Sequence, residues 1–139
     1  MMKKIIVKRP NEVFNKNCSY RICINDGNVI ELKNGEAKTI EINTKSEFLI
    51  AKLHWLGSNK IKLIDITTGM VVEIRGNKFL NYWLPIFAVI PLFGFSYAMN
   101  SKHEILKNLG IAALIALLAF VVAALTIGRN KWLNIKSAN

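Results

Sequence analysis

The sequence predicts a small all-β domain, an antiparallel β-sandwich of about seven strands, followed by an α-helical two-span transmembrane hairpin. Three observations predict it. Composition changes sharply near residue 79, and beyond that point lie two uncharged apolar runs, 20 residues from Leu80 to Met99 and 19 from Leu109 to Ile127. Before it, short β-branched or aromatic runs alternate with polar residues and are punctuated by turn residues, the pattern of strands with one face in and one face out. The division gives a β domain over 1–78 and a two-helix region over 79–139.

Within the first region the predicted strands are "KIIVK" (4–8), "YRICIN" (20–25), "VIEL" (29–32), "AKTIEI" (37–42), "EFLIAKLHWL" (47–56), "KIKLIDI" (60–66) and "MVVEIR" (70–75). The "DGN" at 26–28 and the "NG" at 34–35 are hairpin signals, because Asn and Gly tolerate positive φ. "NTKS", "GSN" and "TTG" separate the later strands, and sequential neighbours are expected to pair. Gly27, Gly35, Gly57, Gly69 and Gly76 all fall at predicted turns, and none belongs to a phosphate loop of the G-x-G-x-x-G or Gly-Lys-Ser/Thr type. Cys18 and Cys23, five residues apart in an expected strand, face opposite ways and cannot bridge.

Each apolar run is long enough to cross about 30 Å of hydrocarbon as a helix rising about 1.5 Å per residue, so spans are expected over about 80–99 and 105–127. Lys60, Lys62, Arg75 and Lys78 precede the first, and Arg129, Lys131 and Lys136 follow the second, against Lys102 and Lys107 between them. The positive-inside bias puts both termini in the cytoplasm and the turn at 100–104 outside. The start "MMKKIIVKRP" has an apolar run of only Ile5, Ile6 and Val7, too short for a signal peptide.

The pattern "YRICINDGNVI", then "LKNGE", then a strand ending "LHWLGSNK" resembles the small PEGA-like β-sandwich domains of bacterial membrane proteins, over roughly 19–75. The resemblance implies a fold and no catalytic residue. Catalysis is not expected on the residues either. Only His54 and His103 are present, the acids (Glu12, Asp26, Glu31, Glu36, Glu41, Glu47, Asp65, Glu73) are scattered, and no nucleophile elbow, metal set or cofactor motif appears.

Binding is the better reading. The chain holds 19 Lys+Arg against 9 Asp+Glu, and basic residues interleave with an aromatic one in "KLHWLGSNKIK". Lys52 and His54 are expected on one strand face, with Lys60 and Lys62 returned beside them by a turn at 57–59. Trp55 either stacks a base or packs in the core. Such a set suits a nucleotide or oligonucleotide, through phosphate pairing and stacking, or anionic membrane lipid. A merely solvated face stays open.

In the first span, with Asn81 at 0°, Pro85 falls at about 40°, Ser96 at about 60° and Asn100 at about 100°, so they share one side. In lipid that side is expected to face protein or a water-filled pore. Pro85, Pro91 and Gly94 predict a kink between 87 and 94. Ala112, Ala116, Ala119 and Ala123 form a small-residue stripe for helix packing, within the hairpin or between protomers. Two spans cannot enclose an aqueous path, so a pore demands a homo-oligomer, with a tetramer supplying eight helices. A plain anchor and a non-conducting adaptor for a protein partner are the alternatives. The layout, a basic β domain on a two-span hairpin, resembles the membrane effectors of bacterial antiphage systems, the Hailong DNA-gated channel effectors among them. That resemblance implies a ligand-gated channel.

Overall fold

The computed structural model describes residues 2–25, 27–43 and 45–138. Asp26 of the predicted "DGN" turn and Thr44 of "NTKS" lie outside them. The described residues form nine strands in two sheets and two long apolar helices, the β domain and helical hairpin of the predicted fold class with two strands beyond the seven expected. The strands are β1 Met2–Lys8, β2 Tyr20–Ile24, β3 Asn28–Leu32, β4 Ala37–Asn43, β5 Phe48–Leu53, β6 Leu56–Gly57, β7 Ile61–Lys62, β8 Val71–Gly76 and β9 Leu133–Ala138. The helices are α1, Leu84–Asn100, and α2, Glu104–Thr126.

One sheet has the order β4-β1-β8-β9 and the other β3-β2-β5-β6, with β7 also on β5. Pairing is less sequential than the turn signals suggest. β1 pairs antiparallel with β4 and parallel with β8, with Ile6 opposite Val71. Alternation explains why the sheets stack. Ile5, Val7, Ile40, Ile42, Val72, Ile74 and Leu133 point inward from the first sheet, and Tyr20, Ile22, Leu32, Leu49 and Ala51 from the second, in one buried cluster. Each such aliphatic side chain withdrawn from water stabilises the sandwich by about 1.5–3 kcal/mol.

Three predicted boundaries move for physical reasons. The strand expected over 60–66 stops at Lys62 and gives way to a 3-10 turn, Leu63–Asp65. A continuing strand would turn Asp65 inward beside Leu63. The turn buries Leu63 and Ile66 and leaves Asp65 exposed. Gly76 is not a turn residue but the end of β8, where a Cβ would sit 2.5 Å from the Phe14 ring. Cys18 precedes β2 rather than lying in it, and it and the buried Cys23 are both free thiols.

The unexpected element is β9. Residues 1–77 and 129–139 form one compact unit and 78–128 the other. The last residues, read as the tail of the two-helix region, therefore complete the β domain. Leu133, almost wholly buried, and the half-buried Ile135 alternate with Asn134 and Lys136, and the strand runs antiparallel to β8, with Ile74 opposite Ile135. The Asn77 backbone N–H donates to the Trp132 carbonyl at 2.8 Å and its side chain to the Lys131 carbonyl at 2.9 Å. The helical hairpin is thus inserted between two neighbouring strands.

In the helical unit, residues 79–100 and 104–126 are each long and apolar enough to cross a membrane. Only 11% and 6% of their apolar windows are buried, which is not how core helices of a soluble protein sit. A π-turn, Phe79–Trp83, opens the first, with the Leu84 N–H donating to the Phe79 carbonyl. Pro85 follows and has no N–H to close an α-turn onto Asn81. A break in the α-helical pattern thus falls at 79–83, and α1 continues as α-helix through Pro91, inside the stretch 87–94 where a kink is expected.

Candidate ligand-binding groove

The stretch "KLHWLG" folds differently from the long strand expected over 47–56. The chain reverses at His54 and Trp55, so that Leu53 pairs with Leu56 across a two-residue turn. His54 takes φ 54°, a left-handed conformation that His, Asn and Asp adopt more readily than other side chains. Arg21 donates to the His54 carbonyl at 3.4 Å. Consequently Lys52 and His54 do not share a strand face. Trp55 stands at the tip of a hairpin, 61% exposed, which removes the core-packing alternative.

Beyond that turn Ser58 pins the return. Its buried hydroxyl accepts the Ala51 N–H at 3.0 Å and donates to the Asn59 carbonyl at 2.9 Å. Ser58 also bridges to Leu133 at the start of β9. That contact draws the short 3-10 turn Arg129–Lys131 towards β6. A groove of about 540 Å³ results, and Lys52, His54, Trp55, Lys60, Arg129 and Asn130 are among the residues lining it. Among the described residues no carboxylate lines it. Of the five residues singled out in the sequence, four come together here, and Lys62 lines a separate groove with Lys3 and Lys45. Arg129 and Asn130 were missed, since Arg129 counted only as a charge flanking the second span. The alternation of "LNIKS" was the signal that would have brought them in.

The groove brings three basic side chains, Lys52, Lys60 and Arg129, beside an exposed indole, the residue types that charge-assisted hydrogen bonding to phosphate and stacking require. Among the described residues no group of three His, Cys, Asp or Glu side chains is placed to hold a metal ion. His54 lies in the β domain and His103 immediately before α2, in the other unit.

A second arrangement, unread in the sequence, fixes the exit of β8. Arg9 is fully buried. Its guanidinium donates to the Glu12 carboxylate at 3.3 Å and to the carbonyls of Cys18 and Asn15 at 2.6 and 2.8 Å, with its carbon 3.6 Å from the centre of the Tyr20 ring. Glu12 also accepts the Tyr20 hydroxyl at 2.5 Å and the Gly76 N–H at 2.6 Å. Burial first, then the hydrogen bond to Glu12, holds the Tyr20 hydroxyl well above its ordinary pKa. Glu12 thus ties the 9–19 loop to Gly76, the last residue of β8.

In the helical unit Asn81 is half-buried, while Pro85, Ser96 and Asn100 are exposed. Asn100 donates to the Ser96 carbonyl at 2.9 Å. Ala112, Ala116 and Ala119 are exposed and Ala123 is half-buried. The face of α2 turned inward is instead Gly110, Leu114, Leu117, Val121 and Ala124. At Gly110 a Cβ would come within 2.7 Å of the Ala98 Cβ, so glycine sets the approach of the two helices. No protein-family model, no curated protein and no solved structure matches this chain.

Proposed function

We propose that the chain is a two-span protein of the bacterial inner membrane, without catalytic activity, whose cytosolic β domain senses an anionic nucleotide or oligonucleotide and biases its transmembrane helices. The observation that carries this reading is the groove of Lys52, Lys60 and Arg129 beside an exposed Trp55, with no acid to compete. A left-handed His54 at the turn that presents Trp55 fits a site where backbone strain is tolerated for a purpose. Both ends of the helical hairpin attach to one unit, which supports both termini lying on one side of the bilayer.

Gating follows from where the groove is built. Arg129 comes two residues after Ile127, so a ligand drawing on Arg129 acts on the chain that leaves the second span. Such a ligand shifts the helices only if it binds two arrangements of them unequally. The conducting form is a homo-oligomer, a tetramer by preference, in which Asn81, Pro85, Ser96 and Asn100 line water and the exposed Ala112, Ala116 and Ala119 pack protomers together. A basic β domain on a two-span hairpin resembles the layout of antiphage membrane effectors, and that resemblance supports the reading.

The test is twofold. Oligonucleotide binding to full-length protein in zwitterionic nanodiscs should quench Trp55 and weaken with salt. It should fall about tenfold or more in Lys52→Glu with Arg129→Glu, charge reversals that remove phosphate pairing. Proteoliposomes should then release ions, with Ser96→Leu or Asn81→Leu altering the flux. Binding without flux, by a strict monomer, would replace the channel with a non-conducting adaptor, for which the open sheet edges at β3 and β4 supply a docking mode.

A further inference from the structure

The β domain carries a second groove, and its chemistry differs from that of the Trp55 groove. It opens between the end of β4 and β7, with a volume of about 590 Å³. Ile42, Phe48, Leu63 and Ile64 give it apolar walls, and Ile64 is 78% exposed, a large aliphatic side chain left in water beside the cavity. Lys3, Lys45, Lys60 and Lys62 stand around those walls against a single acid, Glu47. Among the described residues none of the four lysines is ion-paired, whereas Lys4 and Lys38 on the same sheet each hold a glutamate. Lys3 is held in place by donating to the Ile66 carbonyl at 3.2 Å, and Lys60 lies over the Phe48 ring at 4.3 Å.

We propose that this groove binds a small amphipathic organic anion, a phosphate monoester or carboxylate on a flat apolar body. The body fills the space over Ile42, Phe48 and Leu63, and the anionic head is held by Lys45 and Lys62. Concave apolar walls with a few charged groups at the mouth, within about 300–1,000 Å³, are the ordinary form of a small-molecule site. A bare phosphate would leave the walls wet, and a neutral ring would leave the ammonium groups without a counterion. Only a ligand with both parts uses the whole groove. Lys60 borders this groove and the Trp55 groove alike, so occupancy of one changes the field in the other. The proposal does not depend on the oligonucleotide reading.

Calorimetric titration of the full-length protein in zwitterionic nanodiscs, with empty discs subtracted, tests it using 2-naphthyl phosphate and 2-naphthoate as probes. Both should saturate one site per chain, while inorganic phosphate and 2-naphthol bind at least about tenfold more weakly, each lacking one half of the recognition. Lys45→Glu with Lys62→Glu should weaken the probes about tenfold or more, because two exposed pairs become repulsions. The double glutamine variant should weaken them in the same direction by less, which separates the loss from misfolding. Lys52→Glu, in the neighbouring groove, should change probe affinity less than about twofold. Inorganic phosphate binding as tightly as naphthyl phosphate, full probe affinity in the Lys45/Lys62 variants, or an equal loss in Lys52→Glu would each overturn the proposal, whatever oligonucleotides do.

Discussion

The β domain and the helical hairpin handle large apolar side chains in opposite ways. In the sandwich, Ile, Val and Leu alternate with polar residues and vanish into one cluster, leaving Met2, Val13, Val29, Trp55 and Ile64 as its large exposed hydrophobics. The hairpin exposes most of its own, from Phe79 and Trp83 through Phe93 and Tyr97 to Leu118 and Ile127. Polar groups are distributed in the reverse sense. The sandwich buries an arginine and surrounds it with acceptors, whereas in the helices Asn100 donates to the Ser96 carbonyl and Thr126 to the Val122 carbonyl at 2.7 Å, each on its own helix. One region is built for water outside and the other for hydrocarbon.

The comparison breaks most readily at Arg9. Arg9→Met leaves Glu12 buried without its cation and should cost the sandwich about 3–5 kcal/mol, read as a fall in its melting temperature with helix content in detergent unchanged. Next is Leu133→Ala, expected to cost about 2–5 kcal/mol by opening a cavity under β9. If β9 were a loose tail, this substitution would be silent. In the other region, Gly110→Leu forces α1 and α2 apart and should cost about 1–3 kcal/mol of hairpin packing, seen as a longer distance between spin labels placed on the two helices away from position 110. The sandwich transition should not move.

The smallest expected effect is alkaline. The unfolded chain releases the Tyr20 proton near its ordinary pKa of 10, but the folded chain keeps it to higher pH. The stabilisation is therefore complete below about pH 10 and declines as pH rises above it. Tyr20→Phe should show a shallower fall in melting temperature over that range.

Periodicity made the main architecture legible. Two uncharged runs gave the spans, and alternation gave β1 to β4 and β8 to within a residue or two, together with the start of β5. What stayed hidden depended on contacts distant in sequence. "LHWLG" lacks Gly or Asn at the turn, so His54 concealed the reversal. β9 offers only Leu133 and Ile135 as inward residues, too short a pattern to stand out beside a run of 19 uncharged ones. Arg9 reads as one more cation until Glu12 and Tyr20 are folded around it, and Gly76 reads as a turn until Phe14 occupies the space beside it. Within the Trp55 groove, Lys52, His54, Trp55 and Lys60 were visible because they are neighbours in the chain. Arg129 reaches them only through the pairing of β9.

That pairing has a consequence for biogenesis. Residues 77–132 separate the two strands, so β8 is synthesised with its outer edge bare and stays so until both hydrophobic segments have left the ribosome. Docking the helices against each other brings Asn77 and Trp132 close, turning a long excursion into a short one and lowering the entropic cost of zipping the sheet shut. A chain arrested or clipped between the segments lacks the strand that finishes the sheet. Maturation of the soluble half therefore reports that the greasy half has been made.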